Sequence, residues 1–206
     1  MNEIRLFTAL SQKIFHDLIN PASAALNGLE LLHSSINNND IEIIDNDILD
    51  LLQKSIEKIT AQIKFYRFLY ADLNNDKEKE IQKSYIEDLI DDYSKFLKLE
   101  ISLESDHILI RKDHAQVFLN LIIVFIQLFP LGAQVNYQSK DKERFFIRAK
   151  PISGKINSEI FEDLKLTKIE EIKNIQVEYT QRLLKEINIC YEINLLTNNE
   201  VIITQI

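Results

Sequence analysis

The residues best suited to chemistry in this sequence are His16 and Asp17, which are followed by Asn20 and Pro21 within a long helical pattern. An imidazole becomes a good nucleophile when one ring nitrogen is free and an acceptor holds the other nitrogen in a fixed tautomer. The carboxylate of Asp17 can be that acceptor, or the base during group transfer. Asn20 lies one turn later on the same face. We therefore predict that His16, Asp17 and Asn20 are catalytic, with His16 as the nucleophile.

The position of His16 on its helix argues that it is exposed to solvent and is not a core residue. Apolar residues recur every three or four positions along one stripe, which is the pattern of an amphipathic helix. The stripe consists of Ile4, Phe7, Leu10, Ile14, Leu18, Ala22, Ala25, Leu29, Leu32 and Ile36. At about 100° per residue, His16 lies roughly 160° from Ile14 and Leu18, on the polar face. The ordinary alternative for an exposed histidine is a solvated surface residue, and the neighbouring Asp17 and Pro21 argue against it.

Two long helices provide the frame for this group. Residues 2–36 and 47–73 are predicted helices, and the polar loop at 33–46 between them makes an antiparallel hairpin. Pro21 should interrupt the first helix locally. A single hairpin cannot bury both apolar faces, so we predict a homodimer in which residues 1–75 form a four-helix bundle.

The hairpin geometry also predicts a partner surface. With a turn near residue 40, His16 should lie level with about residue 64. Lys64 or Arg67 could there neutralise a phosphoryl group, and exposed aromatic side chains would suit docking. The alternative is a surface cation beside core aromatic residues. The predicted partner-binding residues are Ile19, Ser23, Asn27, Lys64, Arg67 and Phe68.

The second half of the chain has a different pattern. The charged run from Asn74 to Glu80 is the expected linker, and residues 82–206 should form a second domain. Short alternating segments predict strands, and longer periodic segments predict helices. We expect helices at 85–97, 113–129, 158–164 and 177–187, and strands at 99–103, 107–110, 134–139, 144–150, 190–196 and 201–204. The expected fold class is α+β, with a two-layer α/β sandwich after the hairpin.

Composition excludes several classes of function. The 206 residues carry a formal net charge of -8, which disfavours nonspecific nucleic-acid binding. Only three isolated glycines are present, so no glycine-rich phosphate loop can form. The remaining histidines lack metal-ligand spacing, so no metal site is expected. The one cysteine, Cys190, is expected to be a small core residue. With no apolar run of about 18 residues and no signal-peptide pattern, we expect a cytoplasmic protein.

Three segments resemble the ChpT-type histidine phosphotransferases of alphaproteobacterial phosphorelays. They are HDLINPASAALNGLELL, which begins at His16, IKFYRFLYADL (Ile63–Leu73) and FLNLIIVFIQLFPLGAQV (Phe118–Val135). The resemblance weakens toward the C-terminus. It implies a dimeric hairpin followed by a degenerate, Bergerat-like histidine-kinase ATPase domain that binds no ATP. It further implies that His16 passes a phosphoryl group from the receiver of a hybrid kinase to the receiver aspartate of a response regulator, with Mg²⁺ supplied by the receiver. No cofactor of the chain itself is expected.

Two other functions remain open from the residues alone. An ATP-dependent histidine kinase would need the Mg²⁺-binding asparagine four positions after the first asparagine of the kinase N-box. If Asn120 is that first asparagine, the ligand position holds Val124, which cannot coordinate Mg²⁺. A non-catalytic dimeric scaffold that binds receivers without accepting phosphate is the second alternative. The His16–Asp17 pair argues against the scaffold.

Overall fold

The computed structural model describes residues 3–37, 46–72, 79–141 and 144–206. The helices are α1 (Glu3–Asn37), α2 (Asn46–Leu69), α3 (Lys83–Ser94), α4 (Lys112–Leu128), α5 (Ser158–Lys165) and α6 (Ile175–Glu186), with a 3₁₀ turn at Ile169–Glu171. The strands are β1 (Glu80–Gln82), β2 (Leu99–Ser105), β3 (Leu109–Arg111), β4 (Ala133–Asp141), β5 (Arg144–Pro151), β6 (Tyr191–Leu195) and β7 (Val201–Gln205).

The first two helices form the predicted hairpin. Helix α1 runs unbroken through Pro21, which is buried. At Gly28 the helices approach so closely that a Cβ would lie 3.0 Å from Cγ of Leu52. This approach fixes the level of α1 against α2. The second helix ends at Leu69, four residues before its predicted end. The predicted loop at 33–46 and the predicted linker from Asn74 to Glu80 fall largely outside the described residues.

The second half is the predicted two-layer α/β structure. Five strands form one sheet in the order β2-β4-β5-β7-β6; β2 and β4 are parallel and the other pairs antiparallel. Side chains alternate along β5, so that Phe145, Ile147 and Ala149 are buried on the inner face. The α+β prediction is therefore confirmed. Strand β3 overlaps the predicted strand at 107–110, whereas β1 and its pairing with β3 were not predicted, because a three-residue strand carries no readable period.

Helix α4 is the centre of the core. Every residue from His114 to Phe125 is buried, as expected for a helix that is apolar nearly all round. The same buried cluster includes Phe65 and Leu69 of α2. At the end of α2, the amide of Gln116 donates to the carbonyl oxygens of Phe68 (3.1 Å) and Ala71 (2.8 Å). A buried side chain of the second half thus satisfies carbonyl groups where the hairpin ends.

One prediction about burial was wrong, and another concerns a surface that only the predicted dimer would cover. Cys190 is exposed, just before β6, rather than part of the core. Ile4, Phe7 and Leu29, placed on the apolar stripe of α1, are 77%, 73% and 53% exposed. The face of α1 that meets α2 is centred on Leu6, Leu10, Pro21 and Gly28 instead. The stripe is real in the sequence, but a single hairpin covers only part of it.

Candidate functional site

His16 projects from α1 into solvent, as the periodicity predicts. Its side chain is 75% exposed, and Nδ1 lies 3.5 Å from Oδ1 of Asp17. The neighbouring residue Asp17 is turned toward α2 and is half-buried. One turn of helix therefore presents a free imidazole and holds its adjacent carboxylate against the hairpin.

The second oxygen of Asp17 is occupied by two donors. Lys13 Nζ donates to Oδ2 at 2.9 Å, and the hydroxyl of Tyr66 donates to the same atom at 2.8 Å. Burial by itself would raise the pKa of Asp17, but the hydrogen bond and charge of Lys13, with the hydroxyl of Tyr66 and the contact with His16, lower it below its usual value. Asp17 is therefore a carboxylate at neutral pH.

Tyr66 is a buried residue of α2 that the sequence analysis did not assign to the site. Burial raises its pKa, and the nearby Tyr93 and Asp17 add to the effect, so the phenol keeps its proton. Its ring lies 6.3 Å from that of Tyr93 on α3, and the ring of Phe65 lies 4.4 Å from Tyr93. The contact of Tyr66 with Asp17 puts His16 level with this aromatic group, close to the predicted level of residue 64.

The predicted partner-binding residues of α1 are all at the surface. Ser23 and Asn27 are exposed, as is the predicted catalytic residue Asn20. Ile19 is 59% exposed, and Phe15, which the sequence analysis did not single out, is 63% exposed. Two large apolar side chains thus lie beside His16 in sequence with their surfaces open.

The three predicted residues of α2 differ in their surroundings. Lys64 Nζ lies 3.2 Å from Oδ2 of Asp92 on α3. Arg67 is exposed in the last turn of α2. Phe68 is half-buried, with its ring 6.1 Å from that of Tyr85. The structure thus gives two of these three residues contacts with α3.

The kinase-like position in α4 is a packed interior. Asn120 is fully buried; its amide donates to the carbonyl of Gln116 at 2.9 Å and accepts from Gln176 at 2.9 Å. Val124, four residues later, is fully buried in the apolar core. The asparagine is thus used in internal hydrogen bonds, and the side chain of Val124 has no oxygen that could bind a cation.

The described residues contain neither a candidate metal cluster nor a helix that could span a membrane. Within residues 3–37, 46–72, 79–141 and 144–206, no group of three or more His, Cys, Asp or Glu side chains could hold a metal ion. In the same ranges, no helix has the length and apolarity needed to cross a membrane.

An exposed imidazole beside a fixed carboxylate thus lies on a helical hairpin that is joined to a two-layer α/β domain. Comparison with known proteins identifies the class of protein that has this fold. Residues 84–195 match the family model of the histidine phosphotransferase C-terminal domain. The chain therefore belongs to the histidine phosphotransferase family.

Two known phosphotransferases are similar to this chain. The protein phosphotransferase ChpT of Brucella abortus (strain 2308) is 25% identical over 153 residues, which cover 73% of this chain and 69% of that protein. A solved bacterial phosphotransferase superposes with a TM-score of 0.78 at 22% identity, over 100% of this chain and 98% of the other. The shared fold thus extends over both the hairpin and the α/β half.

Proposed function

We propose that this protein relays a phosphoryl group from the receiver domain of a hybrid histidine kinase, through His16, to the receiver aspartate of a response regulator. The observation that carries the proposal is the pair formed by His16 and Asp17. The imidazole is 75% exposed, and its Nδ1 lies 3.5 Å from a carboxylate oxygen. The single cysteine and this role both fit a cytoplasmic location.

The transfer needs no net proton movement in this geometry. Nε2 of His16 attacks the phosphorus of the receiver's aspartyl phosphate, the bond from phosphorus to the aspartate oxygen breaks, and that carboxylate leaves with the electron pair. Nδ1 keeps its proton, so the phosphorylated ring is cationic and Asp17 stabilises it. In the second step a receiver carboxylate attacks phosphorus, and the electron pair of the P–N bond returns to Nε2. The receivers supply the Mg²⁺ that neutralises the phosphoryl oxygens.

The position of Val124 and the small number of glycines argue against ATP as the phosphoryl donor. Val124 occupies the position where a kinase would need a Mg²⁺ ligand, and three isolated glycines cannot form a nucleotide loop. The test is to mix the protein either with a radiolabelled phospho-receiver or with labelled ATP. We expect a base-stable, acid-labile label from the receiver and none from ATP. Label from ATP would support the kinase, and binding of receivers without label would support the scaffold.

Asp17 should be needed for fast transfer of the phosphoryl group to His16. Replacing Asp17 with Asn removes the charge that stabilises the cationic ring while keeping the side-chain shape. We expect transfer from a phospho-receiver to slow by about 100-fold, measured by quenched-flow labelling. The matched control is Asp50→Asn, since Asp50 is an exposed partner of Lys54, and neither residue belongs to the proposed docking surface. A rate for Asp17→Asn within threefold of wild type would contradict the proposed role.

The receiver should dock on the face of α1 that surrounds His16. Ile19, Asn20, Ser23 and Asn27 are exposed on this helix, and we assign them with Lys64, Arg67 and Phe68 to the docking surface. Ile19→Glu should slow transfer by roughly tenfold by weakening binding. Ile152→Glu is the control, because Ile152 is similarly exposed (53% against 59%) in the second half of the chain. Equal rates for both variants would count against this surface.

We also propose that the hairpin is a dimerisation element. Leu49, Ile56 and Ile63 of α2 are 45%, 56% and 51% exposed and recur every seven residues, which is the spacing of a bundle seam. A second copy of this hairpin would complete a four-helix bundle and cover them. Ile56→Glu should place a charge in that seam and shift the mass from dimer to monomer in light scattering. Ile108→Glu is the control, as Ile108 is 82% exposed outside the hairpin; a dimeric Ile56→Glu protein would contradict this interface.

A further inference from the structure

The carboxylate of Asp17 is held from one side only. Both donors, Lys13 Nζ at 2.9 Å and the hydroxyl of Tyr66 at 2.8 Å, bind Oδ2. Oδ1 is the oxygen nearest to Nδ1 of His16, at 3.5 Å. A carboxylate of an exposed aspartate normally turns freely about its terminal bond. Here two hydrogen bonds on one oxygen hold the group and leave the other oxygen directed at the imidazole.

The two donors are not equivalent. Lys13 belongs to the same helix as Asp17 and has a long, partly exposed side chain. Tyr66 belongs to the facing helix, is 6% exposed and has a ring with few rotamers. Because burial raises the pKa of Tyr66, its phenol stays protonated and remains a hydrogen-bond donor at neutral pH. The tyrosine therefore provides the more rigid anchor.

The ring of Tyr66 is itself positioned by the second half of the chain. Tyr93 of α3 lies against it at 6.3 Å between ring centroids, with the rings inclined at 63°. Tyr93 also packs on Phe65, the residue before Tyr66, at 4.4 Å. The exposed His16–Asp17 pair is thus connected, through one buried hydroxyl, to the packing between the hairpin and α3.

We propose that Tyr66 is a positioning residue for phosphotransfer: its hydroxyl fixes Asp17 so that Oδ1 holds Nδ1–H of His16 and leaves Nε2 as the nucleophile. The proposal rests on the proposed function of His16. It also gives the α/β half a part in the chemistry, since α3 supports the tyrosine. A free imidazole in water favours the opposite tautomer, with the proton on Nε2. The contact between Tyr66 and Asp17 would therefore change which nitrogen of His16 can attack.

The direct test is the tautomer of His16 in the protein alone, without a receiver. Nitrogen-15 NMR of the histidine rings, above the pH at which they titrate, distinguishes Nδ1–H from Nε2–H. We expect His16 of the wild type to be mainly Nδ1–H, and Tyr66→Phe to shift it toward Nε2–H. The matched control is Tyr70→Phe. This variant also removes a phenol hydroxyl, here from the residue that follows α2, but that hydroxyl donates to Gln176 and not to Asp17. An unchanged tautomer in Tyr66→Phe, or a wild type that is already Nε2–H, would overturn the proposal.

Transfer kinetics give the second readout. Tyr66→Phe should accept phosphate from a receiver about tenfold more slowly, as for loss of a hydrogen bond to a charged group, whereas Tyr70→Phe should stay within twofold. If Tyr66→Phe does not fold, Tyr66→Met also removes the hydroxyl and fills the site with a flexible apolar side chain. It should shift the tautomer in the same direction, and an unchanged tautomer there would overturn the proposal.

These outcomes separate the two proposals. A wild-type protein that takes no label from any receiver would refute the relay, while the tautomer would still report on the anchor. Normal labelling of wild type with equal rates and equal tautomers in Tyr66→Phe would refute the positioning role and leave the relay intact.

Discussion

His16→Ala is expected to abolish phosphoryl acceptance, with transfer from a labelled phospho-receiver falling at least 1,000-fold, to the background of the assay. The side chain is the nucleophile itself, so no neighbouring group can replace it. It is also 75% exposed, so its removal leaves no cavity and should not change the free energy of unfolding by more than about 0.5 kcal/mol. Loss of transfer in a fully folded protein would therefore report on chemistry alone.

The control for this variant lies on the same helix. His33 is a second exposed histidine of α1, four helical turns or more from the proposed site. His33→Ala should be labelled at the wild-type rate. If both variants accept phosphate normally, the phosphoryl group resides on another residue and the assignment of His16 is wrong.

Phe65→Ala is expected to lower the free energy of unfolding by about 3–5 kcal/mol, the cost of truncating a fully buried aromatic side chain. Phe65 is 0% exposed and belongs to the buried cluster that joins α2 to the α/β half. Its ring packs on Tyr93 at 4.4 Å. The cavity would therefore open between the hairpin and α3 rather than inside either half.

The measurement is urea unfolding followed by circular dichroism at one fixed protein concentration, because unfolding of the proposed dimer would depend on concentration. Ile108→Ala is the control, since Ile108 is 82% exposed and should change stability by no more than about 0.5 kcal/mol. Wild type should unfold in one transition because both halves share buried side chains. A cost below about 1 kcal/mol for Phe65→Ala would contradict the account of this contact.

The parts of the molecule that the sequence predicts are those decided by local pattern. The period of apolar residues located α1 and α4 to within one residue at each end, because helix geometry repeats over short distances. The exposure of His16 followed from the same period. The alternation at 144–150 likewise predicted β5, whose buried face begins at Phe145.

The parts that escaped prediction depend on contacts distant in sequence. Tyr66 reaches Asp17 across 49 positions, and nothing in the run KFYRFLY distinguishes the tyrosine that would bind it from the aromatic residues around it. Gln116 lies within the predicted helix at 113–129, and nothing in the local pattern indicates that its amide donates to carbonyl groups at the end of α2. One signal could have indicated Tyr66: the antiparallel hairpin places residues near 64 of α2 level with His16 of α1, and Tyr66 lies in that segment.

The measurement that tests the central claim most directly is a chase through both steps of the relay. The protein is first labelled from a phospho-receiver, separated from it, and then mixed with a response-regulator receiver and Mg²⁺ without nucleotide. We predict that the label leaves the wild-type protein as it appears on the regulator, and that His16→Ala protein, carried through the same steps, delivers none. Delivery by His16→Ala at the wild-type rate, or a labelled wild type that never passes its phosphate to any regulator, would contradict the relay.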